Sequence, residues 1–352
     1  MKICIAPTLA GKPWNGATLY QESLGGSEAA VVYIARGLAR AGADVTVMSH
    51  GEPGKFDGVT YINSSQLGWL IGQQWDAVIV SRWLELLAQP WQANYRVLWL
   101  HDLPYQRGMR ISCHKVFVIS EFQRAAWGLD PAACYLTSDG VDTKVFTPPS
   151  GGLAMRDQWK LVWISNPDRG LPVAARIFQE IRKRWPLLEL HVYGRASVYG
   201  WGPEAEHFYI PQPQFMENVF IHESLSRMQL AAELRTAWAM FYPSFWPETC
   251  CMAALEAQAS GLPVIAAPLG ALPETVKGGI LTYDYLNAVS QLRNVNRWEK
   301  LSNAGIEFAR LRDWDALAGQ WLGYIDEQLV RGSSVPGPQD KLSEMVGEKV
   351  AT

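Results

Sequence analysis

Residues Phe241–Pro268 read FYPSFWPETCCMAALEAQASGLPVIAAP. The run divides into a strand end, a loop opening at Pro243, an Ala-rich helix stopping near Gly261, and a buried strand Val264–Ala267. A helix-stopping glycine and a short β-branched apolar run mark those boundaries. Two carboxylates lie in it eight residues apart, Glu248 ahead of the helix and Glu256 inside it. At about 100° per residue, Glu256 falls beside Met252, Leu255 and Ala259, on an apolar stripe rather than a solvated face. A carboxylate there is costly unless something hydrogen-bonds it. Two readings meet that need. Either neighbouring hydroxyls of a bound sugar take Glu256, or a protein arginine does, and Glu248 then only complements the helix dipole.

Eight helical residues span roughly 12 Å. That is comparable to the reach from the ribose of a nucleotide sugar, across its pyrophosphate, to the hexose. The helix N-terminus between the acids has N–H groups and a positive dipole end suited to phosphate. The spacing therefore proposes a nucleoside diphosphate sugar. The stretch also resembles the Glu-x7-Glu motif of the family 4 retaining glycosyltransferases, enzymes of GT-B fold, and the likeness runs on through EAQASGLPVIAAPLGALPETV. The resemblance implies that Glu248 contacts hydroxyls of the donor sugar and Glu256 holds the ribose. Thr249, Cys250, Cys251 and Met252 then line the donor site between them. One departure stands out: the family has Phe-Gly where this chain has Cys250-Cys251, which narrows the space for a sugar against the backbone and bears on donor choice.

A chain of 352 residues suits two domains with separate cores. With 48% apolar and 18% charged residues it is globular rather than disordered. A net charge of −3 gives no electrostatic case for nucleic acid or an anionic membrane. The 16 Trp are expected chiefly in the cores. Five Cys without metal-ligand spacing suggest reduced thiols and a cytoplasmic location. The apolar run at the N-terminus is too short for a signal peptide, and no segment is apolar for long enough to span a bilayer, so a soluble protein is expected.

Strand Lys2–Ala6, a long loop Pro7–Leu24, a helix after Gly25-Gly26 to Ala41 and strand Val45–Met48 form one strand–helix–strand unit. The dinucleotide fingerprint is absent, which disfavours a nicotinamide enzyme. Short apolar runs at Ala77–Val80, Val97–Leu100, Val116–Ile119 and Tyr135–Leu136 read as further parallel strands. Residues 1–146 are thus expected as an acceptor-side domain, 147–158 as a Pro/Gly linker and 159–312 as the nucleotide-sugar domain. Residues 313–331 read as a last helix that, by resemblance, crosses back to the first domain, and 332–352 as a mobile tail. The fold class is α/β, GT-B: two doubly wound Rossmann-like domains facing across a cleft.

Gly25 and Gly26 precede a helix; they either make a turn or, as the resemblance implies, reach the donor phosphates. Glu28 suits that helix as a first-turn dipole partner. In Ser165-Asn166-Pro167-Asp168-Arg169-Gly170, Arg169-Gly170 takes the place of the family's Lys-Gly diphosphate clamp, while the clamp's Arg falls at Ile164. Arg169 then serves alone, helped by Ser165, or is a surface salt-bridge partner. His101 is either structural or, by resemblance, beside the reacting bond, with Asp102 orienting it. Arg107, Arg110, His114 and Lys115 read as a solvated basic face or a grip for an anionic acceptor. Asp139-Gly140-Val141-Asp142 resembles a family turn, with Gly140 free to take positive φ, and Tyr193-Gly194-Arg195 borders the nucleobase. Asp313-Trp314-Asp315 reads as a helix cap rather than a metal site, so no catalytic metal is expected.

The reaction the resemblance implies is retaining transfer of a sugar to an acceptor hydroxyl by a front-face, metal-independent route. Its catalytic residues are His101, Glu248 and Arg169. It needs no cofactor beyond a UDP- or GDP-sugar co-substrate. The acceptor stays open among glycan, lipid, small molecule and modified nucleic acid, and the Pro7–Leu24 loop is expected to choose it. A non-catalytic GT-B scaffold binding a nucleotide or glycan is the alternative, and an epimerase or phosphorylase on this fold is a third reading.

Overall fold

The computed structural model describes residues 1–9, 11–104, 112–194 and 208–332. Expectations for Arg107, Arg110, Arg195 and the tail beyond 332 lie outside the described residues. The chain divides into two units. The first comprises Met1–Thr18, Gly26–Asp139 and the chain from Trp314 onward; the second comprises Leu19–Gly25 and Gly140–Asp313.

The first unit is built on strands β1 (Lys2–Pro7), β2 (Asp44–Ser49), β3 (Gly54–Phe56), β4 (Val59–Asn63), β5 (Trp75–Ser81), β6 (Ala93–Trp99), β7 (Lys115–Val118) and β8 (Cys134–Leu136). They lie in the order β3-β4-β2-β1-β5-β6-β7-β8, parallel except where β3 turns back on β4. The inner strands are apolar on both faces, as a sheet covered on both sides requires. One cover is helix Gly26–Arg40, against which the helix Trp314–Val330 packs. A Cβ on Gly37 would meet the Ala318 Cβ at 2.6 Å, so glycine there lets the two helices touch. Tyr33 stacks on Trp314 at 5.7 Å, and Trp321 stands edge-on to Trp99 and Phe117, each at 4.8 Å.

The second unit carries β9 (Lys160–Trp163), β10 (Glu189–Val192), β11 (Val219–Ile221), β12 (Ala239–Tyr242), β13 (Val264–Ala266) and β14 (Gly279–Leu281). All pair in parallel, in the order β11-β10-β9-β12-β13-β14. The chain reverses its direction of winding between β9 and β12, and the crevice outside that point is where such sheets bind ligands. Residues 147–158, expected as a linker, fall inside this unit. Arg156 fastens them there, donating to the carbonyls of Ala237 at 2.9 Å and Ser260 at 2.6 Å. Helices Tyr285–Leu292 and Val295–Arg310 fill a segment for which the sequence suggested no elements. No helix among the described residues is long and apolar enough to cross a membrane.

Candidate functional site

The loops leaving β9 and β12 meet at the reversal point. After β9, Ser165 is held by backbone contact: its carbonyl accepts from Trp163 Nε1 at 2.8 Å. A Cβ on Gly194 would lie 1.8 Å from that same carbonyl, so only glycine fits at 194. Pro167–Arg169 forms one 3-10 turn, closed by Gly170 at φ +119 ahead of helix Leu171–Arg182. After β12, the Tyr242 hydroxyl donates to Glu248 Oε1 and lies 3.2 Å from Ser165 Oγ. Ser244 Oγ donates to the Arg169 carbonyl at 2.7 Å and accepts the Trp246 N–H at 3.0 Å. The Trp246 ring then lies 4.0 Å from the Arg169 guanidinium carbon, a cation–π contact. Ser165, Arg169 and Glu248 are thus brought together, with Tyr242, Ser244 and Trp246 as the ties.

Glu248 is itself positioned by the loop after β13. Ala271 N–H donates to the Glu248 carbonyl at 2.7 Å. Gly270, at φ +61, lies so close that a Cβ would sit 2.6 Å from the Glu248 N and O atoms. Burial raises the Glu248 carboxyl above the ordinary carboxylate range, opposed by the Arg169 charge and by donation from Tyr242. Asp168 lies 3.4 Å from Arg169 Nε and is raised too, again by burial. Arg169 therefore has both an acid and an aromatic ring as neighbours, and its surface salt-bridge reading describes only part of its setting.

Thr249, half-buried, leads into Cys250 and Cys251, both buried. The Cys250 carbonyl accepts Thr275 Oγ1 at 2.5 Å. Cys251 caps helix Met252–Ala259 with φ 82 and ψ 76, a left-handed backbone. Met252 is the first helical residue and is buried.

The helix differs from the striped picture drawn from sequence. Every residue but Ala253 is buried, Gln258 included, so it has no solvated face. The amide of Gln258 is spent inside, its Oε1 accepting the N–H groups of Lys277 and Gly278 at 2.9 and 2.8 Å. Glu256 is 2% exposed, and its Oε1 accepts Arg227 Nη1 at 2.5 Å. The protein-arginine reading of Glu256 is thus the pairing the structure shows, and burial alone no longer calls for a ribose. Burial raises the Glu256 carboxyl and Arg227 opposes it. Sequence reasoning missed Arg227, whose only signal was its place as first residue of helix Arg227–Thr236 after the cap Ser226.

In the first unit His101 is buried behind Trp99, ring centroids 4.2 Å apart. Burial and the Arg82 charge lower its pKa to about 3, so it is neutral at pH 7. The acid expected to orient it does not. Asp102 is taken by Arg82 Nε at 2.6 Å, and the carboxylate facing His101 Nδ1 belongs to Asp139, at 3.8 Å. Gly140 does not take positive φ; Asp142 makes the turn instead, accepting the Lys144 N–H at 3.1 Å. Gly26 opens helix Gly26–Arg40, Glu28 lies in its first turn, and Ser27 Oγ accepts Arg82 Nη1 at 2.7 Å. Gly25 groups with the second unit. His114 and Lys115 are bonded within the first unit, to the Arg96 N–H and the Ala132 carbonyl. Tyr193 is spent on Glu233, to which its hydroxyl donates at 2.6 Å. Asp313 accepts the Thr143 hydroxyl at 2.5 Å, and Asp315 pairs with Arg40 at 3.1 Å. Among the described residues no group of three or more His, Cys, Asp or Glu is placed to hold a metal ion.

Comparison with known proteins bears on the fold and the activity. The family described as Glycosyl transferases group 1 matches residues 160–294, which span the reversal point and both acids. D-inositol 3-phosphate glycosyltransferase of Geodermatophilus obscurus is 29% identical, over 81% of this chain and 71% of its own length. The enzyme of that name from Corynebacterium aurimucosum is 26% identical over 74% and 68%. Among solved structures, sucrose-phosphate synthase from Thermosynechococcus elongatus superposes with a TM-score of 0.72 at 18% identity, covering 95% of this chain and all of that one, 100%. Anabaena Alr3699/HepE in complex with UDP-glucose gives 0.70 at 16% identity, over 94% and 100%. Fold and sequence relatives together make this chain a glycosyltransferase of the GT-B fold.

Proposed function

We propose that the chain transfers a sugar, with retention at the anomeric carbon, from a nucleoside diphosphate sugar to an acceptor hydroxyl. The observation that carries this reading is the convergence of Arg169, Ser165 and Glu248 at the winding reversal of a parallel sheet. There Glu248 accepts hydroxyls of the donor sugar, and Glu256 receives the ribose. Arg169, with the amides opening helix Met252–Ala259, meets the diphosphate charge. As the bond from C1 to the diphosphate oxygen breaks, the acceptor oxygen bonds C1 from the same face. The acceptor's proton passes to the leaving phosphate oxygen. Stabilising charge at that oxygen is the main catalytic task, and no protein nucleophile is needed. The UDP-glucose complex of the Anabaena neighbour supports a nucleotide-sugar donor.

The test is nucleoside diphosphate release from a panel of UDP- and GDP-sugars, with and without acceptors. Arg169→Ala and Glu248→Gln should each lower kcat/KM by about a hundredfold or more, near 3 kcal/mol. Undiminished rates in both variants would refute the assignment.

A further inference from the structure

Glu256 and its cation form an arrangement with a job beyond mutual neutralisation. Arg227 is fixed at two points: Nη1 donates to Glu256 Oε1 at 2.5 Å, and Nη2 to the Leu24 carbonyl at 3.3 Å. Leu24 groups with the same unit. The N-cap Ser226 and its reciprocal box with Gln229 hold the helix start that carries Arg227. A guanidinium tethered in this way cannot swing clear of the carboxylate. Of the carboxylate it takes Oε1, and no hydrogen bond reaches Oε2 among the described residues. Among them Arg227 is also the one charge acting on Glu256, since the helix around it offers Met252, Leu255 and the neutral Gln258.

We propose that Arg227 is a positioning residue for the donor: it occupies Glu256 Oε1, keeps the carboxylate ionised in its buried setting, and so reserves Oε2 as acceptor for a ribose hydroxyl. This rests on the reading of Glu256 as the ribose ligand. An ionised carboxylate only accepts, which suits a diol with two O–H donors, whereas a protonated one presents a competing O–H. Removing the guanidinium leaves burial unopposed, and the carboxyl titrates at higher pH.

The experiment measures UDP and GDP dissociation constants between pH 5.5 and 9 for wild type, Arg227→Met, Arg227→Lys and Arg227→Met/Glu256→Gln. In Arg227→Met, affinity should weaken about tenfold at pH 7 and recover as pH rises, with the midpoint above that of wild type. Arg227→Lys should return the midpoint toward wild type, and the double variant should show no step. A second arm uses no nucleotide. A carboxyl raised in the folded state gives stability that is present at low pH and is lost as pH rises through the folded value. Arg227→Met should therefore lose thermal stability relative to wild type between pH 5 and 8, and Glu256→Gln should cancel that loss. Coincident pH profiles for wild type and Arg227→Met in the second arm would overturn the proposal. Failure of wild type to bind either nucleotide, with the stability arm as expected, would overturn the ribose reading and leave Arg227 as guardian of the charge alone.

Discussion

Cys251 holds a backbone that side chains rarely adopt, φ 82 and ψ 76, immediately before the helix that carries Glu256. For a residue with a Cβ this costs on the order of 1–2 kcal/mol. Glycine takes it without that steric cost. Cys251→Gly is therefore expected to be more stable than Cys251→Ala by about 1 kcal/mol in urea titration, reversing the usual order at a buried site. An alanine variant equal to or better than the glycine variant would show that the conformation is not strained. The strain links to what the sequence made visible. The Cys250-Cys251 pair stood out in the sequence for the space it takes from a sugar, and the left-handed backbone at Cys251 was not read there. Glu248 and Arg169 were likewise legible as residues, whereas Arg227 was not. Its partner lies 29 positions along the chain, and no local pattern encodes a pairing that only the fold creates.

At the scale of elements, the loops that follow β12 and β13 are tied to one another. Gly270, at φ +61, packs on the Glu248 backbone, and Ala271 N–H holds its carbonyl. Gly270→Ala adds strain and a clash at once. It should cost about 2 kcal/mol or more in urea unfolding and depress diphosphate release at temperatures where the variant remains folded. Wild-type turnover in a folded Gly270→Ala protein would separate Glu248 from that support. Strand positions were readable to within a residue or two, except that β6 begins four residues ahead of Val97, because parallel strands covered on both faces announce themselves as short apolar runs. The pair β3–β4 and the helices Tyr285–Leu292 and Val295–Arg310 were not, since their apolar positions are interleaved with polar ones and no cap stood out. Helix Met252–Ala259 was located but misjudged, because a helix buried all round carries no period from which a face can be read.

For the whole molecule, pH acts through groups in both units. His101 stays unprotonated in the folded state down to about 3, against an ordinary value of 6.5. Its contribution to stability is complete above 6.5 and is lost as pH falls toward 3, because the unfolded chain takes up the proton first. Between pH 7 and 5 this amounts to about 2 kcal/mol. His101→Asn should flatten that part of the urea-midpoint curve, and an unchanged slope would show that His101 titrates alike in both states. Two parallel sheets were legible from alternating runs. The grouping of Leu19–Gly25 with the second unit was not, because that loop carries no local signal that sets it apart from the first.

The chain's return to the first unit at Trp314 has a consequence for how the protein is made. Residues 140–313 form one uninterrupted stretch, so the second unit can close its core as soon as it leaves the ribosome. The first unit begins earlier but finishes last. Trp99 and Phe117 face a space that Trp321 fills, and Trp321 emerges some two hundred residues after Phe117. During that interval the nascent chain carries an uncovered aromatic surface, the kind of surface that chaperones bind.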